Sequence, residues 1–212
     1  MGGQSPDVEV SKSLVSLVVD LGRLALQFAR TDRATCFEDG HTPESDTDHT
    51  VMLGVVACAF AAAHLPRLDL GKIAQFVFVH DLVEAYAGDT PTLRVMTADV
   101  KTEKEERERE ALLRIQKEFS ALPWISETIQ EYESRCSPEA RYVKALDKAI
   151  PKITHILNAG ATLRRQGLTA EDVRAIYDSQ KRDMLGYAAD LPEVMDLRDE
   201  LIMEVLHVAF AQ

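Results

Sequence analysis

The chain has 212 residues, 46% of them hydrophobic and 28% charged, with 35 acidic against 24 basic side chains for a formal charge of −11. That length fits one domain with a continuous core, spanning 1–212, and the apolar content is too high for a disordered chain. The negative charge argues against long nucleic acids and anionic membranes as partners, yet leaves small anions open, because a cation and one or two arginines reverse the sign locally.

Apolar residues recur with helical rather than two-residue spacing, which predicts an all-α fold. A first helix from about Val8 to Arg30 carries a stripe that includes Val10, Leu14, Leu17, Val18, Leu24 and Phe28. Thr31 to Asp48 reads as a polar loop, long enough to suggest a functional role. A second helix begins near Asp48, with Thr47 or Asp48 as N-cap. It is apolar on nearly all sides, which predicts burial in the middle of a bundle. The third runs from about Leu70 to Ala87 and stops at Gly88, with Pro91 beyond. The run KTEKEERERE opens a charged, solvated helix ending near Phe119, and another segment leads from Trp124 to Ser134. An inward-facing helix spans Pro138 to about Leu157, with a kink or break expected at Pro151. Amphipathic helices near Glu171–Tyr187 and Pro192–Phe210 complete the set.

Cys36, Cys58 and Cys136 stand far apart without Cys-x-x-Cys spacing, so reduced thiols and a cytoplasmic location are expected. The first residues, MGGQSPDVEV, lack the pattern of a secretory signal, and no apolar run reaches the roughly 18 residues of a membrane span.

The strongest local anomaly is His80-Asp81-Leu82-Val83-Glu84 inside an apolar helix. Ionisable groups on a buried face are costly unless a partner neutralises them, and a divalent cation does this for imidazole and carboxylate together. Two residues do not fill a coordination sphere. His49, opening the second helix, and Asp147, interrupting Val143, Ala145, Leu146, Ala149 and Ile150, are further polar groups in core contexts. Two neutral imidazoles and two carboxylates balance a charge of +2. Glu84, one helical turn beyond His80, is expected beside the water that the cation activates.

The order His49, His80-Asp81, Asp147 resembles the H…HD…D signature of the HD-domain phosphohydrolases. Pro43-Glu44-Ser45-Asp46-Thr47-Asp48-His49 is similar to the approach to the first histidine in the 5′-deoxynucleotidase branch. His80 through Pro91 resembles that branch's H-D-x-x-E-x-x-x-G-D-x-P block. Glu131-Tyr132-Glu133 with Ala140 to Lys148 resembles its third segment, so the likeness runs from about Thr31 to Leu157.

The resemblance implies an HD-domain helical bundle that removes the 5′-phosphate of deoxyribonucleoside monophosphates. Its metal ligands would be His49, His80, Asp81 and Asp147, around one divalent cation: cobalt, manganese, zinc, iron, nickel or magnesium. Glu84, with Asp81, would take part in catalysis, Asp89 would hold the sugar or a metal, and Arg33 would contact phosphate. Relatives carry a tryptophan after that arginine where this chain has Ala34, which leaves the base contacts open. Relatives often pair, which leaves a homodimer open as well. Two other readings stand beside this one. A deoxynucleoside triphosphate hydrolase would need more cations than Arg33, Arg94, Lys101 and Lys104 supply. A non-catalytic nucleotide-sensing module would have no use for Glu84. The remaining polar features have structural readings. His64 caps its helix, Trp124 anchors a core or interface, His41, His155 and His207 lack companion ligands, and KTEKEERERE is a solvated face.

Overall fold

The helical periodicity is realised almost throughout. The computed structural model describes residues 12–90 and 97–211. The sequence features at residues 8–11, Pro91 and Arg94 lie outside them. Helix α1 (Leu14–Phe28) starts at Ser13, whose Oγ accepts a hydrogen bond from the Ser16 N–H. Leu17, Leu24 and Phe28 are buried, but Leu14 and Val18 of the expected stripe are 72% and 56% exposed. Val18 sits about 100° round the helix from Leu17, beyond the reach of the core.

The expected loop before α2 is instead a hairpin. Strand β1 (Asp32–Cys36) pairs antiparallel with β2 (Pro43–Ser45), Asp32 opposite Ser45 and Cys36 opposite Pro43, with an irregular register between. Strands of five and three residues are too short to display alternation. Helix α2 (Asp46–His64) begins two residues before the predicted Asp48. Ser45 and Asp48 form a reciprocal capping box, and this early start places Asp46 and His49 in the buried first turn. The helix is covered on one side only. Leu53, Ala57 and Ala61 are fully buried, whereas Val51 and Val55 are 60% and 67% exposed, so apolarity all round did not mean burial all round.

Helix α3 (Leu70–Val79) is capped by Asp69 and does not run on to Ala87. Residues 80–83 form a tight turn with three-residue hydrogen bonds, Leu82 N–H to Val79 O and Glu84 N–H to Asp81 O. Helix α4 (Glu84–Ala87) follows and ends at Gly88, whose φ of 75° lies in the left-handed region. Helices α5 (Ala98–Glu118) and α6 (Trp124–Ser134) come next; Trp124 is half-exposed rather than a core anchor. Helix α7 (Pro138–Ala149) gives way to α8 (Pro151–Leu157) at the expected proline. A short α9 (Ala161–Arg165), missed in the sequence, precedes α10 (Ala170–Ala188) and α11 (Pro192–Phe210). Before α9, Gly160 has φ 74°, and a Cβ there would lie 2.2 Å from that of Ala209.

Helix α7 is the axis of the bundle, touching α2, α3, α6, α8, α10 and α11. Tyr142, Val143, Ala145 and Leu146 on it are fully buried, and the Tyr142 hydroxyl donates to Ala57 O at 2.8 Å. Burial of each large apolar side chain stabilises the bundle by about 1.5–3 kcal/mol. Asp147 therefore sits at the centre of the best-packed element. No helix among the described residues is long and apolar enough to cross a membrane.

Candidate metal centre

Three elements bring four polar side chains to one point. His49 comes from the first turn of α2, His80 and Asp81 from the turn after α3, and Asp147 from α7. One ligand atom of each lies within 4.8 Å of all the others. The imidazole centroids are 5.5 Å apart. His49 Nε2 lies 3.1 Å from Asp147 Oδ1, and His80 Nε2 lies 3.1 Å from Asp81 Oδ2 and 3.9 Å from Asp147 Oδ1.

This donor set fits a divalent cation on a specific observation. His80 Nδ1 is 2.8 Å from Val77 O, a contact in which the ring nitrogen must donate. In the neutral imidazole, Nε2 then carries a lone pair, and it faces a carboxylate oxygen without forming a hydrogen bond. Two electron-rich atoms buried in that arrangement repel unless a positive charge lies between them. Burial holds the His49 imidazole below its ordinary range, against the Asp147 contact. For His80, burial opposes protonation, but the Asp81 carboxylate beside it prevails and raises the group, so that without a metal ion a proton on Nε2 serves as the positive charge between the two atoms. Burial also works against ionisation of both carboxylates, and their neighbours outweigh it: His80 and Arg33 hold Asp81 low, and Lys148, the His49 hydrogen bond and His80 hold Asp147 low.

Around the cluster lies a cavity of about 320 Å³ lined by Arg33, Glu84, Asp89, Lys104, Lys144 and Lys148, among others. Arg33, on β1, donates from Nη1 to Asp46 Oδ1 at 3.0 Å and Asp81 Oδ2 at 3.3 Å. Asp46 is fully buried, and burial raises its carboxyl to about 6. The tight turn at 80–83 places Asp81 and Glu84 three residues apart along a three-residue repeat, hence on one face. Burial, then the charges of Asp81, Asp46 and Asp89, raise the Glu84 carboxyl to about 10. Its Oε2 is buried without a hydrogen-bond partner, and Oε1 lies 3.8 Å from Lys104 Nζ. Asp89 follows Gly88 at the same rim, also raised by burial, against the pull of Arg33. On α5, Arg107 bonds Ala87 O and Thr90 Oγ1, spanning the turn that carries Asp89.

All seven side chains expected at the site therefore face one cavity or the cluster beside it. Several neighbours were not foreseen. Asp46 lies three residues before His49, and nothing in its sequence context marks it as a partner of Arg33. The charged run on α5 is not wholly solvated, since Lys104, Glu105, Glu108 and Arg109 line the cavity. More cations are present than the sequence reading counted: Lys144, Lys148 and Lys152, spaced four apart, line it as well. That spacing on an inward helix was the available signal. His155 also lines the cavity, although the metal cluster excludes it.

A bundle with a buried His, His-Asp, Asp cluster defines a class, and the family model described as "HD domain" matches residues 26–185. The chain belongs to the HD-domain family. It is 33% identical over 113 residues to the 5′-deoxynucleotidase hdd1 of Schizosaccharomyces pombe, covering 50% of this chain and 54% of that one. It is 32% identical over 134 residues to the 5′-deoxynucleotidase HDDC2 of Homo sapiens, 59% of this chain and 60% of the relative. The Bos taurus protein of the same name is 30% identical over 159 residues, 70% and 71% of the two chains. The match thus spans little more than half of the first two relatives. Among solved structures, a predicted metal-dependent phosphohydrolase of Magnetospirillum magnetotacticum superposes with a TM-score of 0.66 at 26% identity, covering 91% and 95% of the two chains.

Proposed function

We propose that this protein hydrolyses the 5′-phosphate of deoxyribonucleoside monophosphates, with one divalent cation held by His49, His80, Asp81 and Asp147. The observation that carries the reading is His80 Nε2 lying 3.1 Å from Asp81 Oδ2 without a hydrogen bond, in a four-donor cluster beside a cavity with an arginine and a glutamic acid whose carboxyl burial raises to about 10. The names of the relatives support the substrate class. When bound, the cation neutralises phosphoryl oxygens and acidifies water; its identity among first-row ions and magnesium is set by availability as much as by these donors.

The chain's own groups do the rest. Arg33 is held charged, with Asp81 and Asp147 outweighing its burial, and its guanidinium presents a planar fork to phosphoryl oxygens. Lys148 Nζ, 3.1 Å from Asp147 Oδ2, fixes that carboxylate and adds positive charge at the same wall. Water forms the new O–P bond as the P–O5′ bond breaks. Glu84 delivers its carboxyl proton to the departing 5′-oxygen, so that the nucleoside leaves neutral, and takes a proton of the attacking water in return. Asp89, held by the Arg107-braced turn, accepts a hydrogen bond from the 3′-hydroxyl. Three unpaired thiols support a cytoplasmic setting.

Product analysis tests this reading. With a deoxynucleoside monophosphate and Mn²⁺ or Co²⁺, orthophosphate and nucleoside should appear in equal amounts. Release of tripolyphosphate from a deoxynucleoside triphosphate, with no action on monophosphates, would instead establish the triphosphatase. No turnover with any nucleotide and cation would favour a sensing module.

A further inference from the structure

Beyond the metal cluster the lining of the cavity extends to an arm of residues on α7, α8 and α10: Lys148, Pro151, Lys152, His155, Tyr177 and Gln180. The proposed reaction uses none of the last five. Lys152 is 1% exposed, and its Nζ donates to Lys148 O at 2.6 Å and Gln180 Oε1 at 3.2 Å, both neutral acceptors. The same nitrogen stands 4.2 Å from the centroid of the Tyr177 ring. Among the described residues no carboxylate forms an ion pair with it. Beside it, His155 is fully buried with both ring nitrogens lacking partners, and the buried Tyr177 hydroxyl lacks one too.

Three unmet polar atoms and an uncompensated buried amine on one wall are expensive in an empty protein. Donors also predominate on the wall. Lys148, Lys152, the Tyr177 hydroxyl and one imidazole N–H can donate, against one imidazole nitrogen that accepts, while the Gln180 carbonyl is already taken by Lys152. A nucleobase calls for an open apolar face as well as polar partners. Lys152 lies over the Tyr177 ring, and the larger apolar lining, Leu112 and Ile129, is in the α5–α6 part of the cavity. Burial, with Arg198 and Lys148 nearby, pushes the Lys152 ammonium well below its usual range, and a bound anion would reverse that push.

We propose that the Lys152–His155–Tyr177 arm is a second oxyanion subsite, receiving a phosphate group other than the one at the metal centre. Two sources share that chemistry: free orthophosphate, and the further phosphoryl groups of a nucleoside di- or triphosphate. The inference extends the proposed function, but its test does not need turnover.

Inorganic phosphate is titrated calorimetrically into the chelator-treated full chain. The expected result is saturable binding, weakened about tenfold or more in Tyr177→Phe and in Lys152→Met, since each removes one hydrogen bond to a charged ligand. Should Lys152→Met fail to fold, Tyr177→Phe, which loses a single oxygen, decides alone. Equal affinity in wild type and Tyr177→Phe overturns the subsite, as does absence of binding at millimolar phosphate. Two arms separate the sources in the metal-loaded protein. A lower triphosphate-to-monophosphate ratio of kcat/KM in Tyr177→Phe assigns the arm to the substrate's own phosphates. An unchanged ratio with relief of inhibition by added orthophosphate assigns it to free phosphate, and the absence of both changes overturns the proposal. Absence of turnover in every variant contradicts the proposed hydrolase and leaves the titration standing.

Discussion

At the scale of single residues, Glu84 carries the sharpest consequence. In the unfolded chain its carboxyl releases a proton near 4.5, whereas burial and three neighbouring carboxylates raise it to about 10 in the folded protein. The folded state thus binds one more proton between those values. The stability this group contributes is full below the lower value and is lost as pH rises toward the upper one. In metal-free protein, Glu84→Gln is expected to gain in Tm over wild type as pH rises from roughly 5 to 9, because the amide needs no proton. Parallel melting profiles across that range would contradict the assignment. In metal-loaded protein the same variant should lose about 10²–10⁴-fold in kcat, the usual range for an acid–base group, measured as phosphate release. His49, His80, Asp81 and Asp147 were legible in the sequence because each is a polar group where helical spacing calls for an apolar one. Asp46 and Lys152 were not, since a charge near a helix end looks the same whether it meets solvent or a cavity.

At the scale of elements, the site depends on where helices start and stop. Ser45 and Asp48 begin α2, and one residue beyond the box stands His49. Ser45→Ala should therefore cost about 0.5–2 kcal/mol in denaturant melts, the ordinary value of an N-cap. Cation affinity should weaken alongside, as the first turn frays around His49 and Asp46; an unchanged affinity with the expected stability loss would separate the cap from the site. The break at His80 and the β1–β2 hairpin escaped sequence reading for related reasons. The tight turn uses residues with helical backbone angles, and His80 itself has φ −55° and ψ −40°, so periodicity alone does not separate it from α3. The hairpin is too short to alternate, yet it presents Arg33 to Asp46 and Asp81. By contrast, Pro151 announced the joint between α7 and α8 directly, because a proline removes a backbone donor.

At the scale of the whole molecule, a chain of formal charge −11 builds a cavity with cations along one wall. The net repulsion disfavours polyanions, whereas a cation at the cluster, together with Arg33 and the lysines, would reverse the sign locally for a small one. Composition made the first half of that statement legible, and only the three-dimensional structure supplies the second, since Arg33 and Lys148 lie 115 positions apart in sequence. The helical class was readable throughout from periodicity. The partial burial of α2 was not, because all-round apolarity does not say which neighbours arrive.

The central claim is that His49, His80, Asp81 and Asp147 hold a cation without which the phosphoester is not cleaved. Its most direct test is orthophosphate release from a deoxynucleoside 5′-monophosphate by chelator-stripped protein, before and after Mn²⁺ or Co²⁺ is restored, with Asp147→Ala in parallel. The account predicts no release before addition, turnover after it, and none in the variant under either condition. Release at full rate from the stripped protein, or from Asp147→Ala with cation, would contradict it.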